Sequence, residues 1–288
     1  MTPATMQMGF YDRTRSGRLI LTGRDSRDLL HRLATNSILG LSPGQGVQCC
    51  FCTNKGRMID NAVVLDRGDD LLVLTGNPER LSGHIQQYTI TEDVTVRNYM
   101  AVELVVCGPR AKSVLGVELE PFCFTEVPLG GVKVLVARIQ PLAGDAYSLL
   151  APDAVALRRM LATEGEMLGP ESIRTLRIRN RIPTHPNEIN ENYNPWEAGL
   201  EDSISLQKGC YVGQEIVARL NTYDKVKRRL VALRLSAPCA EGQILEHDGE
   251  PAGQLTTVEG DLALGYVKSE LAAPGTRIGP AEVVETPF

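Results

Sequence analysis

The sequence of 288 residues predicts an α+β fold followed by a small C-terminal domain of β-strands. In the first 225 residues, strand-like and helix-like segments mix without a regular βαβα repeat, which favours α+β over a doubly wound sheet. From Lys227 onward, short strand-like segments are separated by Gly, Pro and Asp and show almost no helical periodicity, as in a small β-barrel or sandwich. We therefore predict a first region at 1–225 and a barrel domain at 226–288.

Local patterns predict the individual elements. Leucines that share one helical face predict a helix over 25–38, and a second helix over 77–88 has Pro78 in its first turn. Asn54-Lys55-Gly56 predicts a hairpin turn between two strands, and a third strand extends them into an antiparallel meander. These three strands are predicted at 47–53, 57–66 and 71–75. Further strands are predicted at 101–108, 132–139 and 146–150, covered by a helix at 152–165.

Composition excludes several classes of function. Lys and Arg number 30 against 35 Asp and Glu, so no general basic field would hold nucleic acid or an anionic membrane. No window approaches the run of about 20 apolar residues that spans a membrane, and the N-terminus lacks the pattern of a secretory signal. We expect a soluble, cytoplasmic protein that binds neither nucleic acid nor membranes.

Seven cysteines at irregular spacing favour reduced thiols over a disulfide framework. Cys49 and Cys52 form a C-x-x-C pattern, which is compatible with a redox pair or half of a metal site. If the segment is a strand, however, these two side chains point to opposite faces, and no second such pattern completes a tetrahedral set. Three buried thiols, with Cys50, are the favoured interpretation, and no metal site is predicted.

Asp60 is an acid within the otherwise apolar run 58–65, where strand alternation predicts that it shares a face with Met58, Ala62 and Val64. Burying a carboxylate costs several kcal/mol unless it is hydrogen-bonded. Asp60 therefore either completes a structural network or faces a ligand pocket, and the sequence pattern alone leaves both alternatives open.

Glu197 follows Trp196, the only tryptophan, in the segment PWEAGL at 195–200. A fixed carboxylate suits a pterin, because the ring presents its N3 hydrogen and 2-amino group as two parallel donors. The alternative is a surface acid beside a packing tryptophan.

The segment KGCYVGQE at 208–215 places Cys210 shortly before a predicted helix and two residues from Lys208. A helix N-terminus and a nearby lysine both favour thiolate over thiol, so Cys210 is a candidate reactive cysteine. A structural cysteine in a glycine-bounded turn is the alternative. The basic run Lys225, Lys227, Arg228 and Arg229 is either a solvated face or a site for carboxylates.

KGCYVGQE resembles the signature of the YgfZ family of folate-binding proteins, bacterial relatives of mitochondrial proteins that support iron–sulfur cluster maturation. The stretch LRIRNRIPTHPNEINENYNPWEAGL at 176–200 is similar to the corresponding part of the glycine cleavage T-protein, a tetrahydrofolate-dependent aminomethyltransferase. NKGRMIDNAVV at 54–64 resembles the T-protein strand that carries a pair of catalytic aspartates. With KVKRRLVALRL, the resemblance extends over nearly the whole chain.

The resemblance implies an aminomethyltransferase-like ring of three domains around a folate channel, with two interwoven α+β subdomains and a C-terminal β-barrel. It also implies tetrahydrofolate or a derivative as the cofactor. Glu197 would hold the pterin ring, Asp60 would lie near the reactive nitrogens, and Cys210 would be the functional thiol. The implied folate contacts are Glu197, Asp60, Trp196, Lys208, Tyr211 and Arg228, and the implied catalytic residues are Asp60 and Cys210.

Two departures separate this chain from the T-protein. Asp60 is followed by Asn61 rather than by a second acid, and T-proteins do not carry the KGCYxGQE segment. We therefore predict a tetrahydrofolate-binding accessory protein that supports iron–sulfur cluster assembly or repair, with iron–sulfur proteins as partners. The alternatives are a folate-dependent aminomethyltransferase and a folate-independent scaffold, so the sequence leaves open whether the protein is an enzyme.

Overall fold

The computed structural model describes residues 6–222 and 226–287 of the chain. Its six helices are α1 Ser26–Leu33, α2 Pro78–Tyr88, α3 Ala111–Leu115, α4 Val155–Glu164, α5 Pro170–Arg179 and α6 Gln214–Thr222. The longest, α2, has 11 residues, and no helix in the described residues is long and apolar enough to cross a membrane.

Seventeen strands form three sheets in the described residues. They are β1 Gly9–Asp12, β2 Gly17–Thr22, β3 Gly46–Cys52, β4 Met58–Asp66, β5 Leu71–Thr75, β6 Thr95–Asn98, β7 Val102–Cys107, β8 Phe124–Leu129, β9 Val132–Ile139, β10 Ala146–Ala151, β11 Glu166–Met167, β12 Arg228–Leu235, β13 Ile244–His247, β14 Glu250–Glu259, β15 Leu262–Lys268, β16 Arg277–Ile278 and β17 Ala281–Val284.

The chain crosses between two of the sheets. The N-terminal sheet has the order β3-β4-β5-β2-β6, and the central sheet has the order β11-β1-β7-β10-β9-β8. Strand β1 pairs with β7 of the central sheet, whereas β2 to β6 build the N-terminal sheet. The two α+β subdomains are therefore interwoven, with the loop between β1 and β2 at their junction.

Side-chain alternation along β4 packs these two sheets face to face. Val63 and Leu65 contact a cluster that includes Leu135 and Leu150 of the central sheet, whereas Val64 faces the opposite way, toward the residues of α1 and α2. The far side of the central sheet is covered by α3 and α4. Two helical layers thus enclose two sheets, and each fully buried valine or leucine contributes about 1.5–3 kcal/mol relative to exposure.

The C-terminal sheet, β13-β14-β15-β12-β17-β16, forms a nearly closed barrel because its edge strands β13 and β16 lie next to each other. Along β12, Val231 and Leu233 fill the barrel interior. Leu230 and Ala232 point outward and pack against a cluster that includes Cys50 of β3. The barrel is thereby attached to the N-terminal sheet through one apolar face.

The predicted fold class is confirmed: an aminomethyltransferase-like arrangement of interwoven α+β subdomains with a C-terminal barrel. The predicted helix over 25–38 is too long, because α1 ends at Leu33 and Ala34 is extended. Eight helices and strands were missed by local patterns, namely β1, β2, β6, β8, β11, β16, α3 and α5. The predicted domain boundary after residue 225 falls next to residues outside the described ranges and stays a prediction.

His84 of α2 gives the fold a pH dependence. Its side chain is buried, and its Nε2 has no hydrogen-bond partner among the described residues. Burial, aided by the positive charge of Arg80, lowers the pKa of the imidazole from 6.5 to about 4. Because the folded pKa lies below the unfolded one, stability is fully present above pH 6.5 and is lost as the pH falls toward 4.

We expect the wild type to lose up to about 3 kcal/mol more free energy of unfolding than His84→Phe between those two pH values. Urea unfolding at a series of pH values measures this difference. His247→Gln, which removes a half-exposed histidine of the barrel, should follow the wild type. Parallel pH profiles for the wild type and His84→Phe would contradict the assignment.

Candidate functional site

A cavity of about 430 Å³ lies where the faces of the N-terminal and central sheets separate. Val63 and Leu74, which pack between the sheets, also form part of its wall. Its polar wall comes from distant parts of the chain: the loop after β1, strands β3 and β4, the residues after β5 and β9, helix α5 and the segment after it. The polar residues of this wall that bear on its chemistry are Arg13, Arg15, Asp60, Arg177, Thr184 and His185.

Asp60 is 1% exposed, and backbone and hydroxyl donors surround its carboxylate. Its Oδ2 accepts hydrogen bonds from the hydroxyl of Thr75, the backbone N–H of Gly76 at 3.1 Å and that of Asn77 at 3.4 Å. Its Oδ1 accepts one, from the backbone N–H of Asn61 at 2.9 Å. Burial raises the pKa of Asp60, although these four hydrogen bonds oppose the shift.

One lone pair of Asp60 remains for a ligand. A carboxylate oxygen has about two acceptor sites, so Oδ1 can accept a further hydrogen bond. A Cβ atom on Gly76 would lie 3.4 Å from this oxygen and 3.2 Å from Cβ of His185. Because Gly76 has no side chain, this position beside Oδ1 stays open to the cavity.

A β-bulge positions Asp60. The pairing of β3 with β4 runs from Phe51 opposite Asp60 to Cys52 opposite Met58, so Ile59 is the additional residue. A bulge bends the strand and changes where the following side chains point. The prediction that Met58 shares a face with Ala62 and Val64 is therefore wrong, because Met58 packs toward the barrel.

Glu197 does not line this cavity. It is 4% exposed, and its carboxylate lies 3.4 Å from Arg57 of the β3–β4 turn and 3.4 Å from Arg228 of β12. Its Oε2 also accepts the backbone N–H of Asn194 at 3.0 Å. The structure thus gives Glu197 and Arg228 a common place in an ion-pair cluster between the hairpin and the barrel, and their contact with a folate stays a prediction.

Trp196, Lys208 and Tyr211 are also absent from the cavity wall. The indole N–H of Trp196 donates to the carbonyl oxygen of Val217 at 2.8 Å, and Trp196, Tyr211 and Val217 share one apolar cluster. The ammonium group of Lys208 donates to carbonyl oxygens at the end of α1, including that of Ala34 at 2.6 Å. Partial burial lowers the pKa of Lys208 to about 8. Lys208 thus attaches the 205–217 segment to the N-terminal subdomain, and Trp196 packs against that segment.

Cys210 is exposed on that segment and does not line the cavity. Helix α6 begins four residues later, at Gln214, as the sequence predicted. Lys208 is directed toward the carbonyl groups of α1 and lies 5.2 Å from the ring centroid of Tyr211. The predicted site residues therefore do not share one site: Asp60 lies in the cavity, Glu197 and Arg228 lie in the ion-pair cluster, and Cys210 lies at the surface. Lys225, in the basic run, lies outside the described residues.

The interpretation of Cys49, Cys50 and Cys52 as buried thiols is confirmed, since all three are fully buried in β3. Cys49 packs toward the helices, and Cys50 and Cys52 pack toward the barrel. Burial raises the pKa of the Cys52 thiol to about 12. Among the described residues, no group of three or more His, Cys, Asp or Glu side chains is placed to hold a metal ion.

The four basic residues of the cavity wall were missed by sequence reasoning: Arg13, Arg15, Arg177 and His185. Arg177 and His185 lie within the segment 176–200 that resembles the T-protein, but the resemblance assigned no role to either residue. Arg13 and Arg15 belong to a short loop between strands that were themselves missed. No local pattern marks these four residues, because the fold alone brings them together.

The architecture places the protein in the class of aminomethyltransferase-like folds. It superposes with a TM-score of 0.85 on the glycine cleavage system aminomethyltransferase T of Bartonella henselae, at 18% identity, over 99% of this chain and 87% of that one. An Arabidopsis thaliana protein named as a chloroplastic transferase is 29% identical over 96% of this chain and 70% of its own length. The aminomethyltransferase of Geobacillus kaustophilus is 28% identical over 94% and 82%.

Residues 4–208 match the family described as the GCVT N-terminal domain, and residues 227–284 match the CAF17 C-terminal beta-barrel domain. The first match covers well over half of the chain. The chain therefore belongs to the GCVT family and has a CAF17-type barrel.

A substitution at Gly213 of the KGCYVGQE segment tests how closely this segment approaches the β3–β4 turn. Its φ is +83°, and a Cβ atom there would lie 2.5 Å from the carbonyl oxygen of Thr53. Gly242 has the same φ with open space around its Cβ position. We expect Gly213→Ala to lower the free energy of unfolding by about 1–3 kcal/mol more than Gly242→Ala, because only the former adds a clash with backbone. Urea unfolding measures both, and equal losses would exclude the close approach.

Cysteine labelling tests the difference between the surface thiol and the buried thiols. Cys210 is exposed, whereas Cys49, Cys50 and Cys52 are fully buried and their pKa values are raised by burial. We expect Cys210 to be alkylated much faster at neutral pH, because the reacting species is an accessible thiolate. Mass spectrometry of time-resolved iodoacetamide labelling measures the rates. Equal or slower labelling of Cys210 would contradict this prediction.

Proposed function

We propose that this protein binds tetrahydrofolate or a derivative in the cavity beside Asp60 and acts in the cytoplasm as an accessory protein for iron–sulfur cluster assembly or repair. The observation that carries the proposal is the buried Asp60 carboxylate, which lines a cavity and keeps one lone pair free, in a chain of the GCVT family. Reduced folates carry ring N–H groups that can donate to this oxygen.

The residues present fit a folate. The cavity has about 430 Å³, within the usual range for small-molecule sites of roughly 300–1,000 Å³. It combines apolar walls from residues such as Val63 and Leu74 with polar and charged groups. Asp60 would hold N–H groups of the ligand, and Gly76 would leave space for the ring. Arginines at the cavity wall suit the negative charge of the folate tail.

The accessory role is supported by the parts of the chain that lie outside this cavity. The segment that resembles the YgfZ signature presents Cys210 at the surface, where a partner protein can reach it. The C-terminal domain matches a CAF17-type barrel. Asn61 stands where the T-protein has its second acid, which argues against aminomethyl transfer as the main activity.

Aminomethyl transfer to tetrahydrofolate is the second candidate. It is favoured by Asp60, because a buried carboxylate with a raised pKa is a better proton acceptor than an ordinary aspartate. Several relatives that share 25–28% identity with this chain are named aminomethyltransferases. A turnover assay with an aminomethyl-lipoyl carrier distinguishes the two candidates: methylenetetrahydrofolate formation that is lost in Asp60→Asn would replace the accessory role.

Calorimetric titration with tetrahydrofolate under reducing conditions tests the site. Asp60→Asn keeps the shape of the side chain but removes the charge, and we expect it to weaken binding about tenfold or more, which is roughly 1.4 kcal/mol. Gly76→Ala should weaken binding to a similar degree, because its methyl group would occupy the space beside Oδ1. Asp248→Asn, a matched change at an exposed barrel residue, should leave the affinity unchanged.

Glu197→Gln in the same titration decides between the two assigned carboxylates. We expect its affinity to stay within twofold of the wild type, because Glu197 lies outside the cavity wall. Binding that depends on Glu197 and is indifferent to Asp60 would overturn the proposed site. Absence of binding in the wild type would favour a folate-independent scaffold.

A further inference from the structure

The loop between β1 and β2 forms a rigid basic wall of the cavity. Hydrogen bonds hold its backbone in place: Ser16 N–H donates to the carbonyl oxygen of Arg13 at 2.9 Å, and Arg13 N–H donates to that of Glu103 at 2.8 Å. The guanidinium group of Arg18 donates to the carbonyl oxygen of Thr14 at 2.8 Å. The side chains of Arg13 and Arg15 are therefore presented from a fixed turn at the junction of the two sheets.

Arg13 is a second and more distant cation beside the buried acid Glu103. Glu103 is fully buried and already accepts hydrogen bonds from Arg18 at 3.0 Å and from the hydroxyl of Ser148 at 2.7 Å. Nε of Arg13 lies 3.6 Å away, beyond hydrogen-bonding distance, and the Arg13 side chain keeps 27% exposure. Within residues 6–222 and 226–287, no acceptor forms a hydrogen bond with the terminal amino groups of Arg13.

The other charges of the wall leave Arg13 and Arg15 in excess. Asp12 pairs with Arg158, and Arg177 pairs with Glu188 at 2.7 Å. Arg15 is exposed at the cavity and has no ion pair with any acid in the described part of the chain. Asp60 is the remaining acid of the wall, and its charge acts on Arg13 only weakly compared with that of Glu103.

We propose that Arg13 and Arg15 form an anion subsite that binds a carboxylate of the ligand, while Asp60 accepts N–H groups at the other side of the cavity. The ligand class is then a molecule that carries both an N–H donor edge and a carboxylate. A guanidinium group suits this role because it offers parallel donors to a carboxylate. This assignment rests on the proposed folate site. In that site, Arg13 and Arg15 would bind the glutamate end of the folate.

The test compares two ligands that differ in the carboxylate. Tetrahydrofolate has the p-aminobenzoylglutamate tail, whereas 6-methyltetrahydropterin has the reduced ring without it. Calorimetric titration under reducing conditions is performed with the wild type, Arg13→Gln, Arg15→Gln and Asp60→Asn. Arg24→Gln is the matched control, since Arg24 has 79% exposure and lies outside the cavity wall.

We expect Arg13→Gln to lower the affinity for tetrahydrofolate about tenfold or more and to change the affinity for the tetrahydropterin less than twofold. Arg15→Gln should act in the same direction to a smaller extent, because its charge is screened by solvent. Asp60→Asn should lower the affinity for both ligands, and Arg24→Gln should change neither affinity. Arg13→Lys should recover part of the loss by restoring the charge. Added salt should weaken tetrahydrofolate more than the tetrahydropterin.

Each opposite result overturns the subsite. If Arg13→Gln and Arg15→Gln bind tetrahydrofolate like the wild type, or weaken both ligands equally, the carboxylate lies elsewhere, while the folate site at Asp60 still stands. If the wild type binds neither ligand, the folate site and the subsite fall together. Arg15→Gln keeps the test decisive if Arg13→Gln fails to fold, because Arg15 is exposed and supports no buried group.

Discussion

Burial of the Asp60 carboxylate is the constraint on which the local structure around the cavity depends. An isolated carboxylate at 1% exposure would be strongly unfavourable, so the chain must supply donors on every side. It does so with the last residue of β5, the two residues that lead into α2 and the residue after Asp60 itself. The end of one strand, the start of one helix and the bulge in β4 are thereby held in one arrangement. The same arrangement leaves one acceptor site open toward the cavity.

A second buried carboxylate, Glu197, has the opposite consequence. Arg57, Arg228 and the N–H of Asn194 all approach its two oxygens. Glu197 thereby connects the β3–β4 turn, the long segment before the barrel and the first barrel strand. These contacts help to fix the orientation of the barrel. Two acids of similar burial thus have different surroundings. Asp60 accepts hydrogen bonds from neutral donors and lines a cavity, whereas Glu197 forms ion pairs with two arginines.

This contrast explains how far the sequence could be used for prediction. Strands β3 to β5, helix α2 and the barrel strands follow from alternation, turn residues and Pro78, all of which are local signals. Helix α5 was missed because its charged residues and the polar segment after it hide its apolar face. The role of Glu197 could not be predicted, because it depends on Arg57 and Arg228, which are distant in the sequence. The arginines of the cavity were missed for the same reason: residues 13, 60, 76 and 177 meet only through the crossing of the chain between two sheets.

The separation of Cys210 from the cavity limits how the two places can act together. The segment that carries Cys210 is held to the end of α1 by Lys208, and α1 packs on the sheet whose strand β4 carries Asp60. Asp60 and its donors stand at the start of α2, which contacts α1. Cys210 does not line the cavity of Asp60, and its segment is connected to Asp60 both through these two helices and through the contact of Gly213 with the β3–β4 turn. A role of folate in thiol chemistry at Cys210 would consequently require a link between the cavity and the surface, such as a shift of α1 or a partner protein that contacts both places.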